Sequence, residues 1–329
     1  MTKTNQQKVK DFLINNGVII VMFILVIYTG FTSDNFFTKN NFMNILMNMS
    51  SRLVLALGIA GCVITAGCDL SAGRMIGFGA CISGMLLQRM DYSGKFFPDM
   101  QPLNVFVVAL IAMLVCAAFG TVTGFFIAYL NVPPFIATLA MMEIVYGIGL
   151  IVTNATPLGG YVEQYTNVSN GKFLGINYLI WIAIIVAVIT WFIFNMTRHG
   201  KYMYAIGGNP QAAEVAGVPV KATLILIYMK AAAMYGLAGF MLGAKAGGAS
   251  VQTGYGYEME AIAACTIGGV SVTGGRGKVS SAIIGVAVFE LLKVALQYLG
   301  MNANAQYIAI GVVIFIAISL DIRKYIARK

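Results

Sequence analysis

Long apolar runs dominate this chain, and they decide what it folds into. Stretches near 17–33, 42–66, 103–130, 134–153, 176–196, 223–244, 279–299 and 304–321 approach the roughly 20 residues that a helix needs to cross about 30 Å of hydrocarbon. Two weaker stretches, 74–90 and 258–272, raise the expected total to about ten. Only 10% of residues are charged, against about 25% in an ordinary soluble domain. In lipid every backbone N–H and C=O must be satisfied internally, which leaves helices or a closed barrel. A barrel alternates apolar and polar residues, and these runs are continuous instead. The expected fold class is all-α: a polytopic transmembrane helical bundle of about ten spans, one domain over 1–329, with no soluble domain.

Lysines and arginines in the connections set the expected orientation. With the amino terminus inside, the inner side receives Lys3, Lys8, Lys10, Arg74, Arg198, Lys201, Lys221, Arg276, Lys278, Arg323, Lys324, Arg328 and Lys329. The outer side receives Lys39, Arg89, Lys95, Lys172 and Lys245. That asymmetry follows the positive-inside rule and predicts that both termini are cytoplasmic. The net charge of +9 therefore reads as topology and contact with anionic lipid, not as nucleic-acid binding. The run 18–31 leads into Phe31-Thr32-Ser33-Asp34 without a small-residue cleavage site, so it is expected to be a retained first span. The longest connections, 154–175 outside and 197–222 inside, are too short for a core of their own.

The inventory of reactive groups argues against an enzyme. Cys62, Cys68, Cys81, Cys116 and Cys265 lie in or beside apolar runs without CxxC spacing and read as buried, inert thiols. The single histidine, His199, leaves little raw material for a metal site. Gly277-Lys278-Val279 lacks the Ser or Thr that a phosphate loop needs after its lysine, and Val272 stands where a glycine is required. Pairs spaced four apart, Gly73/Gly77, Gly120/Gly124 and Gly239/Gly243, predict close backbone packing between helices. A weak internal echo links Cys62-Val63-Ile64…Ser71-Ala72-Gly73-Arg74 to Cys265-Thr266-Ile267…Thr273-Gly274-Gly275-Arg276.

One polar segment stands out between two apolar spans. In Asn209-Pro210-Gln211-Ala212-Ala213-Glu214-Val215-Ala216-Gly217, Asn209 suits an N-cap, Pro210 the first helical position and Gly217 the C-terminal cap. The predicted helix is about 10 Å long, far too short to cross a bilayer. Lying on the surface, it would act as a lever on both neighbouring spans.

Gln211-Ala212-Ala213-x-x-x-Gly217 resembles the EAA-x-x-x-G coupling loop of ATP-binding-cassette (ABC) importer permeases, with Gln in place of Glu. Further blocks resemble the ribose/galactose branch of that family, in the family's order: Asp69-Leu70-Ser71-Ala72-Gly73-Arg74, Asn131-Val132-Pro133-Pro134-Phe135-Ile136-Ala137-Thr138-Leu139, Ile206-Gly207-Gly208-Asn209-Pro210, and Gly268-Gly269-Val270-Ser271 with Gly274-Gly275. The resemblance implies a permease subunit in a bacterial inner membrane, importing galactose, glucose or a methyl-galactoside by alternating access. It implies as partners a second copy of the chain, a cytoplasmic ATP-hydrolysing subunit and an external sugar-binding protein. ATP and Mg would be bound by the ATPase, with no cofactor in this chain. The cytoplasmic loop 197–222 would carry the coupling helix, with Asn209, Pro210, Gln211, Ala212, Ala213, Glu214 and Gly217 seated on the ATPase.

Other residues divide between scaffold and path. Asp69, Ser71 and Gly73 read as a cytoplasmic cap or gate, and Pro133-Pro134 as the start of the next span. Arg52, Glu143, Lys230, Glu290 and Lys293 fall inside apolar runs, where an unpaired charge costs about 2.5–3.5 kcal/mol. Glu290 and Lys293, three apart, are expected to pair with each other. Glu143 has no local partner; with Tyr146, Phe135 and Thr138 it is a candidate for the translocation path. The residues leave two other classes open. One is a proton- or sodium-coupled secondary sugar transporter with Glu143 as the titrating carboxylate. The other is a membrane receptor or scaffold.

Overall fold

The computed structural model describes residues 5–326; Lys3, Arg328 and Lys329 of the charge argument lie outside them. The chain order is α1 (Asn5–Thr32), α2 (Lys39–Ile64), α3 (Ala72–Leu86), α4 (Val105–Tyr129), α5 (Pro134–Thr153), α6 (Glu163–Asn170), β1 (Lys172–Phe173), β2 (Ile176–Asn177), α7 (Tyr178–Met196), α8 (Arg198–Gly208), α9 (Pro210–Val215), α10 (Val220–Ala246), α11 (Tyr257–Gly268), α12 (Val279–Tyr298) and α13 (Ala303–Ile326). The protein is a helical membrane bundle. Among the described residues six helices are long and apolar enough to cross a bilayer: α2, α4, α5, α7, α10 and α12.

Polar residues at the ends of the apolar runs start these helices. Thr38 caps α2 by accepting from Asn41 N at 3.3 Å, Asn104 caps α4 from Phe106 N at 2.9 Å, and Asn177 caps α7 from Leu179 N at 2.8 Å. Pro134 sits at the start of α5, where its missing N–H costs nothing. Gly247, at φ +66°, ends α10 in the left-handed conformation that glycine adopts without a steric penalty.

α10 is the centre of the bundle, packing against α2, α3, α4, α6, α8 and α9. It packs closely because small residues face its neighbours. A Cβ on Gly236 would collide with the Ala112 carbonyl of α4, and one on Gly239 with the Ile76 carbonyl of α3. From the other side, a Cβ on Gly120 of α4 would strike the Tyr228 carbonyl of α10. Gly239 and Gly120 thus serve the close packing that their four-residue spacing predicts.

The two weak runs behave differently from the rest. α3 has 15 residues and α11 has 12, about 22 and 18 Å of helix, too short for the hydrocarbon core. α11 starts deep in the bundle: the Tyr257 ring stacks under Arg52, the midpoint of α2, with 4.9 Å from guanidinium carbon to ring centroid. Between α10 and α11 the chain turns back along α3, where Gly77 lies against the Thr253 and Val251 carbonyls and Gly73 against the Gly254 carbonyl. The Gly73/Gly77 pair therefore receives an irregular segment, not a neighbouring helix. Ile76, between the two, meets Gly239 of α10 two turns before that helix ends.

Two expectations about charge are corrected. Glu290 and Lys293 do not pair with each other: Glu290 pairs with Arg52 of α2, and Lys293 with Glu260 of α11. Both residues face out of α12 toward neighbouring helices, so interhelical partners win over the short-range i, i+3 geometry. Arg74 does not belong to an inner connection. It bonds to the Val251 carbonyl at 3.3 Å and Gln252 Oε1 at 2.9 Å, in the segment that follows the far end of α10. Lys245, assigned to the outer connections, reaches back to Asn48 of α2.

Opposite the α8–α9 end, three connections meet. Gln88 bridges to Tyr161 and Leu158 to Ala249, while β1 and β2 form a small antiparallel hairpin pairing Lys172 with Asn177 and Phe173 with Ile176. Tyr165 is fully buried beneath this layer, its hydroxyl donating to the Phe240 carbonyl at 2.7 Å.

Two tests follow from this packing. Gly236→Val or Gly239→Leu should overpack the α10 seam by about 1–3 kcal/mol or more and sharply reduce monodisperse protein on size-exclusion chromatography in detergent. Gly147→Ala, where a Cβ meets nothing within 4 Å, should leave the yield unchanged. Arg52→Met should cost about 3–5 kcal/mol by stranding the buried Glu290, and adding Glu290→Leu should recover most of the lost melting temperature.

Candidate functional site: a surface helix and its anchorage

α9 is built as its sequence predicts. Asn209 Oδ1 accepts from Ala212 N at 3.0 Å, and Pro210 occupies the first turn. At the other end, Gly217 takes φ +83°, its N–H bonds to Glu214 O at 2.9 Å, and Val218 N bonds to Ala213 O at 3.0 Å. Those paired bonds are a Schellman motif, which satisfies the last carbonyls of a helix. Helix caps at both ends keep six residues helical, a length at which an isolated helix would fray.

Only Ala213 of this helix is buried, at 5% exposure; Asn209, Pro210, Gln211, Ala212, Glu214 and Gly217 are exposed. Val215 is 91% exposed, the most exposed large apolar side chain among the described residues. Sequence reasoning passed over Val215, although an apolar residue beside Glu214 on a two-turn surface helix was the available signal. A bare valine flanked by Gln211 and Glu214 is suited to a groove on another protein.

α8 ties this projection to the bundle. Thr197 caps α8 by accepting from Gly200 N at 3.2 Å. A Cβ on Gly207 would overlap the Ile64 carbonyl and come within 2.6 Å of Gly275 N, so α8 lies directly on two turns. Those turns join to each other, Gly275 N donating to Ile64 O at 2.8 Å, and Tyr204 Oη donates to Gly277 O at 2.8 Å. They connect α2 to α3 and α11 to α12, which are the two segments of the internal sequence echo. His199, in the first turn of α8, is lowered to about 4 by burial and then by the Lys230 charge, so its imidazole is neutral near pH 7.

Asp69, Ser71 and Gly73 lie further in than a surface cap. Asp69 Oδ1 accepts from Ser71 N at 3.0 Å and from Ser71 Oγ at 2.6 Å, while Oδ2 accepts from Tyr235 Oη at 3.2 Å. Asp69 thus caps the approach to α3, as its residue type predicts. Tyr235 lies in the middle of α10, however, so the connection is folded into the bundle and Asp69 is buried. Gly73 stands where the 251–254 segment crosses α3.

The four candidates on α5 do not share one face. Thr138 is buried, donating to Cys68 O at 3.1 Å and Pro134 O at 2.8 Å. Phe135, one turn before Thr138, is exposed at the flank of that buried face, and Glu143 is exposed on the side nearly opposite Thr138. Tyr146 is half-buried at the boundary, its hydroxyl accepting from Gln252 Nε2 at 3.0 Å. Tyr146 and Glu143 therefore lie at an open edge of the bundle, and Thr138 belongs to its interior.

Residues 41–318 match the family model described as branched-chain amino acid transport system / permease component. The chain is 38% identical to the galactose/methyl galactoside import permease protein of Escherichia coli (strain K12) and 40% identical to that of Haemophilus influenzae, each over 100% of both chains. It is 32% identical to the ribose import permease protein of Escherichia coli (strain K12) over 96% of both. No solved structure matches it. The chain belongs to this family of transport permeases, and its full-length likeness is to ABC-type sugar import permeases.

Proposed function

We propose that this chain is the membrane-spanning subunit of an ABC importer that moves a monosaccharide into the cytoplasm by alternating access. The sugar is galactose, glucose or a methyl-galactoside, a reading supported by end-to-end similarity to galactose/methyl galactoside import permeases. In this reading two copies form the path in the bacterial inner membrane, with about ten helical segments each and both termini cytoplasmic. An external binding protein delivers the sugar, and a cytoplasmic ATPase holding ATP and Mg supplies the work.

The observation that carries the coupling role is the seating of α8 and α9. Asn209, Pro210, Gln211, Ala212, Glu214 and Gly217 project from the bundle, with Val215 at 91% exposure, while Ala213 and Gly207 pin the same unit to the bundle. Closure of an ATPase dimer gripping α9 would displace α8, and α8 contacts the end of α2 and the turn that joins α11 to α12. The ATPase biases the bundle only by the difference in its affinity for the two conformations. Gln211 removes the charge that a Glu would bring to this contact, leaving Glu214 as the acidic group of α9.

Reconstitution tests the reading. Vesicles holding the chain with its ATPase and binding protein should accumulate labelled methyl-galactoside only when ATP is present. Uptake driven by an imposed proton gradient without the ATPase would overturn it. Gly217→Pro cannot adopt φ +83°, and Ala213→Trp would lift α9 off its seat. Both should leave the protein in the membrane, keep ATP hydrolysis and cut uptake by about tenfold or more, as expected for a broken mechanical link worth about 1.4 kcal/mol or more.

A further inference from the structure

At span depth, the segment between α10 and α11 leaves irregular backbone and polar side chains open. Residues 250–256 turn along α3, with Gly254 and Gly256 both at φ +81°. Gln252 is exposed, and the Tyr255 ring is 64% exposed. Non-helical backbone at membrane depth is tolerated where it is covered by protein or lines water. Glu143 is exposed one turn along α5 from Tyr146, which also marks this edge as one that does not face lipid tails.

Arg74 stands at the middle of this edge. Its guanidinium lies over the Tyr146 ring at 4.0 Å and over the Tyr255 ring at 4.6 Å, so that it joins α5 to the returning segment. Gln252 bonds on both sides, accepting from Arg74 Nη1 at 2.9 Å and donating to Tyr146 Oη at 3.0 Å. Two groups remain unmatched: Arg74 Nε has no acceptor, and Glu258 Oε2 has no donor. Glu258 is 6% exposed and lies against Gly73, one residue from Arg74. Both atoms are closed to solvent, so each costs free energy while it stays unpaired and marks the floor of this edge as polar.

We propose that Arg74, Gln252 and Tyr255, with Tyr146, form a contact point for a neutral hexopyranose in transit, which deepens the importer reading above and rests on it. A pyranose has one face of C–H groups and a rim of hydroxyls. The open face of Tyr255 takes the first, and the exposed amide of Gln252 with the part-buried guanidinium of Arg74 takes the second. The contacts are few and partly exposed, so the sugar is held weakly and leaves. Arg74, lying over both rings, keeps α5 and the returning segment together.

The experiment uses the complete complex in vesicles, with labelled methyl-galactoside as the probe. Tyr255→Ala and Arg74→Lys should each lower uptake about fivefold to tenfold, with ATP hydrolysis stimulated by the loaded binding protein unchanged. Ile151→Ala, at an exposed α5 site away from this cluster, should transport normally. A second variant, Gln252→Cys, should be modified by a small water-soluble thiosulfonate and lose uptake. Ile184→Cys, exposed on α7, should not be modified. Normal uptake by Tyr255→Ala and Arg74→Lys overturns the contact point while leaving the importer reading intact, as does a Gln252→Cys that resists the reagent or transports normally after modification. Absence of ATP-dependent uptake by the unaltered complex overturns both. Should Arg74→Lys fail to fold, the Gln252→Cys result decides alone.

Discussion

Backbone-to-backbone contact along α10 organises the helices packed around it, α2, α3, α4, α6, α8 and α9. Lipid offers no hydrophobic drive to press helices together, so close packing of small residues takes its place. Gly236 and Gly239 bring α10 against α4 and α3, and Gly120 repeats the arrangement from α4. Tyr228 and Tyr235 then enter the space between α10 and α2, where Gly67 and Gly58 leave room for their rings. With α10 fixed on several sides, the segments at its two ends are positioned as well. One end leads from α8 and α9, and the other into the turn back along α3. A displacement applied at α9 and a contact made at Tyr255 are thus connected through a single stiff helix.

Much of this was legible in the sequence, for local reasons. Asn209, Pro210 and Gly217 specify α9 because capping depends on residues only a few positions apart. The long runs specify spans because each helix satisfies its own backbone. The depth of a segment is a tertiary property, and here sequence reading failed in particular places. Tyr255 and Gln252 look like an ordinary loop between two spans, because nothing local reports that the loop returns along Gly73 and Gly77. Arg74 counts as an inner charge by its place before an apolar run, and only its bonds to residues 251 and 252 move it inward. Glu290 and Lys293 fit a same-helix pair, but the competing partners Arg52 and Glu260 lie on other helices.

The short α11 also explains how acidic residues are accommodated. Glu258 and Glu260 fall in the first turn of α11, where the helix dipole favours negative charge. Glu260 meets Lys293, and Tyr257 lies between Arg52 and Lys293 at 4.9 and 5.7 Å from its ring centroid. Interrupting the span places a helix start at the depth where the cations of α2 and α12 lie. An unbroken helix would have no such terminus there.

The Arg52–Glu290 pair has a consequence for biogenesis. Its partners lie 238 residues apart in sequence, so at about 5–20 residues per second the ribosome releases α12 tens of seconds after α2. Throughout that interval the arginine of α2 is in or near the membrane without its carboxylate. The nascent helix must wait beside the translocation channel or lean its guanidinium toward the headgroups, and final insertion of the amino-terminal half becomes contingent on completing the carboxy-terminal half.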